Sequence, residues 1–149
     1  MKSTIIFVLI IIAIVHVCSQ PLQEHEINRY TVKLVDLETY IILYKSDLRA
    51  MNDADTSLPG KIDESFTMVK SYAPMMKELH GRTTTDTPFV NYLGYVVTDA
   101  DTLLQLCRLK ADAYNQHYSS SGTGKIIKFI FDCAGDIFNC LMELVERKK

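Results

Sequence analysis

The sequence predicts an all-α protein: a small up-down-up-down four-helix bundle that follows a cleaved signal peptide. Three observations lead there. Apolar residues recur in steps of three and four through four separate blocks, the spacing of one buried helix face. Short polar stretches join the blocks, as antiparallel neighbours require. The first twenty residues form an apolar run unlike any later segment.

That run has the anatomy of a leader. Met1-Lys2-Ser3-Thr4 is weakly positive, and Ile5 to Val15 carries no charge. Val17 and Ser19 suit the small-residue positions before a signal-peptidase cut. Cleavage is expected after Ser19, because a cut one residue later would leave Pro21 first, with its restricted backbone. The apolar stretch is shorter than the roughly 18–20 residues that span a bilayer. Residues 1–19 are therefore read as signal peptide and 20–149 as a single helical domain, secreted and extracellular, with no stable membrane span. Losing Lys2 takes the net charge from −2 to −3 and leaves 130 of the 149 residues, enough for one real core.

The first helix is predicted over Ile27 to Met51. Ile27, Tyr30, Leu34, Leu37, Ile41, Tyr44, Leu48 and Met51 share one face. Val35, Ile42 and Leu43 fall outside this seam, where a bare coiled coil is normally polar. Such extra apolar residues suggest a helix contacted on two sides inside a globular bundle, and a partner-binding stripe is the sharper reading. These three are the candidate partner-binding residues. Asn52 to Gly60 reads as a loop. The second helix is expected from about Lys61 to His80, with Ile62, Phe66, Val69, Ala73 and Met76 inward. Pro74 should kink or break it near Tyr72–Ala73, since proline removes a hydrogen bond and clashes with the preceding turn. Gly81 is a plausible stop.

Thr87-Pro88 reads as an N-cap with Pro at the first helical position. The third helix then runs to about His117 or Tyr118, with Leu93, Val97, Ala100, Leu104, Cys107, Ala111 and Tyr114 on one face. Ser119 to Gly124 is a turn. The fourth helix is predicted from about Lys125 to Glu146. It carries two apolar rows, Ile126, Ile130, Cys133, Ile137, Cys140 and Leu144, and Ile127, Phe131, Ala134, Phe138, Leu141 and Val145.

The cysteines follow from this layout. The cut removes Cys18 and leaves Cys107, Cys133 and Cys140, an odd number in an oxidising compartment. Mirrored about Ser121–Gly122, Cys107 falls opposite a point between Cys133 and Cys140. A disulfide from Cys107 to one of the two is expected; the spacing does not choose.

No catalytic constellation stands out. His25, His80 and His117 lie near predicted helix ends and form no His-x-x-x-His pair suited to a metal. Gly122-Thr123-Gly124-Lys125 lacks the earlier Gly, the following Ser/Thr and the preceding strand of a phosphate loop. Asp53/Asp55 and Asp99/Asp101 do not form a calcium loop. No enzyme activity, cofactor or metal is expected. The near-neutral charge offers no field for nucleic acid. The sequence points to a secreted, non-enzymatic helical effector that binds an extracellular protein or other macromolecular partner. An alternative is a carrier of a small apolar ligand lined by Met51, Met68, Met75 and Met76. A third reading is membrane activity by Gly124–Lys149, a stretch whose net charge of only +1 gives weak attraction to anionic lipid.

Overall fold

The computed structural model describes residues 20–80, 82 and 84–119. The leader, the predicted fourth helix, Gly81, the turn at 121–124, Cys133 and Cys140 lie outside the described residues. Among those described, all regular structure is helical, in three rods. The first rod is α1, Glu24–Ala50. The second is α2, Leu58–Ser71, followed by α3, Ala73–His80. The third is α4, Thr87–His117.

Local chemistry sets the boundaries. α1 begins a turn before the predicted start at Ile27, because the Glu26 carboxylate accepts from the Gln23 N–H at 2.9 Å, the reciprocal half of a capping box. α2 starts three residues before the predicted Lys61, and Leu58, expected in a loop, is fully buried. Asp55 accepts from both the backbone and the hydroxyl of Ser57, at 2.8 and 2.7 Å, and Pro59 takes a first-turn position that needs no N–H. The N-cap of α4 is Asp86 rather than Thr87. Its carboxylate accepts from the Phe89 N–H at 2.8 Å, which moves Pro88 one position further in.

The second rod breaks where Pro74 predicts. Tyr72 closes α2 with its N–H on the Val69 carbonyl at 3.1 Å, and its own carbonyl receives the Met76 N–H. The chain then continues as α3 in the same rod.

Polar contacts between rods give their directions. Along α1 and α2–α3, Asp47 meets Lys61 at 3.3 Å and Tyr30 donates to Glu78, so these rods are antiparallel. Along α1 and α4, Tyr92 donates to Glu38 at 2.5 Å, Lys45 pairs with Asp99, and Lys110 binds the Met51 carbonyl and Asp53 at 2.8 Å each. Sequence offsets of 54 to 59, all in one direction, make these two rods parallel. The described residues are arranged up-down-up.

The core runs the length of the three rods. Tyr30, Leu34, Leu37, Ile41 and Leu48 of α1 face Leu58, Ile62 and Met76 of the second rod and Val96, Val97, Leu103 and Cys107 of α4. The buried Ser65 hydroxyl is satisfied by the Lys61 carbonyl at 2.8 Å. No described helix is long and apolar enough to cross a membrane.

Truncating the centre of this core should cost most. Ile41→Ala is expected to destabilise by about 2–5 kcal/mol, read as a shift in the urea midpoint at constant slope. Gly94, inside α4, has open space where a Cβ would sit. Gly94→Ala should therefore raise stability by about 0.5–1 kcal/mol through helix propensity alone, visible as a higher Tm. Burial, and then the bond to Glu38, push the Tyr92 phenol up to about 12. A folded pKa above the unfolded value of about 10 means full stabilisation below pH 10, lost as pH rises toward 12. Urea titrations on either side of this window should show a smaller loss in Tyr92→Phe.

Candidate functional site

The side of α1 opposite the buried seam is the candidate site. With Tyr30, Leu34, Leu37, Ile41 and Leu48 turned inward, the helical period turns Val32, Val35, Thr39, Ile42, Leu43 and Ser46 outward. Val35 is 48% exposed, Ile42 54% and Leu43 55%. Val32, which periodicity did not single out, is 63% exposed and extends the row by one turn. From Asn28 to Ser46 this outward stripe has no charged residue, while exposed Lys33, Asp36 and Asp47 border it. The structure thus brings all three candidate residues onto one open face.

A second uncharged strip lies on α4. Tyr95 and Leu109 are exposed and Leu106 is half-buried. The predicted seam of α4 left these residues unassigned. Their spacing of three and eleven is helical, and that periodicity was the signal available in the sequence.

The other chemistry-bearing side chains serve the fold. Cys107 is fully buried beside Ser65 of α2, and burial pushes its thiol up to about 12. Any bridge from it must form in this interior; Cys133 and Cys140 lie outside the described residues. Asp53 and Asp99 are ion-paired with lysines. The Ser57 hydroxyl and N–H hold the Asp55 carboxyl below its ordinary range. Asp101 accepts from Gln105 at 2.8 Å. His25 and His117 are exposed at opposite ends of α1 and α4. Among the described residues, no three His, Cys, Asp or Glu side chains gather as a metal site would require.

The methionines proposed to line a ligand cavity are instead packing. Met75 and Met76 are buried in the core, and Met51 and Met68 lie half-buried against it. A cleft of ≈ 380 Å³ lies elsewhere, between the start of α1 and the approach to α4, lined by Leu22, Ile27, Thr84 and Asp86 among others.

Compared with protein-family models, curated proteins and solved structures, the chain matches none.

The Cys107 environment predicts an inert thiol. Iodoacetamide at mildly alkaline pH should label it only after unfolding, as read by peptide mass spectrometry. If unfolding does not suffice and a reductant is also needed, Cys107 carries the bridge expected from the sequence.

Proposed function

We propose that this chain is a secreted, non-enzymatic helical effector that binds an extracellular macromolecular partner through the outward face of α1. The observation that carries this reading is the alignment of Val32, Val35, Ile42 and Leu43, each about half exposed or more, on a stripe without charge. Single exposed apolar residues are ordinary on a surface, whereas an aligned group with a polar border has the composition of an interface. An amphipathic helix that presents such a row suits recognition by an apolar groove on a partner protein. Of the described acidic side chains, Asp47, Asp53, Glu64 and Asp99 pair with lysines, Glu26 with Arg82, and Glu38 and Glu78 accept from tyrosines, contacts that serve the fold.

The reading includes removal of residues 1–19 after Ser19, and a fourth helix from about Lys125 to Glu146 that completes an up-down-up-down bundle. The carrier reading has less support. The methionines it needs are packed against other core side chains, and none of the four lines the cleft.

The test is a comparison of two baits. The intact chain and a Val35→Asp/Leu43→Asp double variant are produced through a secretory route and used to capture proteins from the extracellular fluid of the source tissue. One partner should be retained by the intact chain and lost by the variant, with helicity and Tm unchanged because both positions are exposed. Equal capture by both would sink the proposed face. N-terminal sequencing of the secreted product should begin at Gln20.

A further inference from the structure

The approach to α1 is a clamped arm. Arg82 donates from Nε to the Gln20 carbonyl at 2.8 Å and from its fork to the Pro21 carbonyl at 3.5 Å. Its other bonds go to the Glu26 carboxylate, at 2.9 and 3.3 Å. Leu22 is buried in the core, and Gln23 stands at the N-cap of α1. Gln20 is exposed, and among the described residues only its carbonyl is engaged.

We propose that Gln20 is a modification site: once the cut after Ser19 frees its nitrogen, the residue closes to pyroglutamate, an inference that rests on the removal of residues 1–19 proposed above.

The step needs no oxidant, reductant or second substrate. The freed α-amine attacks Cδ of the side-chain amide. The N–Cδ bond forms, the Cδ–Nε2 bond breaks, and ammonia leaves with the proton that the amine gives up. The product is a five-membered lactam, a ring that closes with little strain. An α-amine with a pKa of about 8 is partly neutral at extracellular pH, so the nucleophile is present. Only a cut immediately before Gln20 sets up this ring, since neither Ser19 nor Pro21 has a side-chain amide.

The fold leaves the reacting atoms free and holds the rest. The carbonyl that Arg82 binds takes no part in the ring and stays an acceptor, so the clamp survives closure. An open terminus would place an ammonium on the same residue whose carbonyl the guanidinium holds, and like charges at that range repel. Glu26 is already shared by Arg82 and the Gln23 N–H. Closure removes the ammonium and the repulsion with it. Pro21 adds a second consequence. Peptidases that cut after a second-position proline grip the free amine of such a start, and a lactam offers none. The ring thus keeps Gln20 and Pro21 on the chain, and with them two carbonyl contacts of Arg82.

The test is the mass of the full-length chain after secretion from cultured cells, collected at neutral pH and reduced. The expected product is residues 20–149 lighter by one ammonia, with fragmentation placing the loss in the tryptic peptide of residues 20–29. Fragmentation reads through a closed Gln20, whereas stepwise degradation from a free amine stops at it. A synthetic open peptide of residues 20–29, taken through the same work-up, measures the closure that handling causes. Closure of the secreted chain no greater than this overturns the proposal. In Gln20→Asn the ring would have four members, so no ammonia should be lost; a loss that persists there also overturns the assignment. Residues 20–149 at full mass overturn the ring and leave the cut after Ser19 standing. Any other first residue means that the reading of the leader has failed, and the proposal with it.

Discussion

One constraint organises the described residues: the apolar seam of α1 must be covered along its whole length. Tyr30, Leu34, Leu37, Ile41 and Leu48 span five turns, and one neighbouring helix cannot close over all of them. Two rods do so, and chain connectivity then dictates their directions. The second rod must return the full distance before α4 can start beside the beginning of α1. The Pro74 break belongs to this return path. It divides the rod without turning it aside, so Val69 and Met76 remain in the same core.

The polar contacts between rods align surfaces that the core has already joined. Exposed ion pairs contribute little stability. Lys45 and Asp99 are different, with side chains only 14% and 16% exposed, and breaking one partner would strand a charge. Together with Glu38–Tyr92, this pair fixes the register of two parallel helices whose apolar seams alone would tolerate a one-turn slip. Arg82 plays the same part at the opposite end, holding Glu26 at 2.9 Å and the Gln20 carbonyl at 2.8 Å.

Periodicity made the inward faces legible because burial leaves the same signal whichever rod does the covering. Every residue assigned to the inner face of α4 is buried. Leu58 was missed because it stands among turn-forming residues, where composition outweighs one apolar side chain. The N-cap of α4 shifted by one residue because Asp86 and Thr87 are both good caps, and only the bond to Phe89 decides. The candidate face was visible as a surplus of apolar positions on α1. What could not be read was exposure itself: Val35, Ile42 and Leu43 carry the same hydrophobicity whether a neighbour covers them or not.

The break at Tyr72 has a dynamic consequence. α3 is only eight residues long, too short to persist as a helix without its packing. Its attachment rests on Met75, Met76, Leu79, the Tyr30–Glu78 bond and, just beyond its end, Arg82 on Glu26. Pro74 supplies no N–H, and the Tyr72–Met76 bond spans the break, so α3 can open as a unit while α2 stays closed. The two ends of the molecule then differ in lifetime. The end containing Lys45, Asp99 and Lys110 behaves as a clamp, and the end containing Tyr30 and Glu78 as a hinge plate. Opening of α3 would expose Met75, Met76 and Leu79 to water or to a protease.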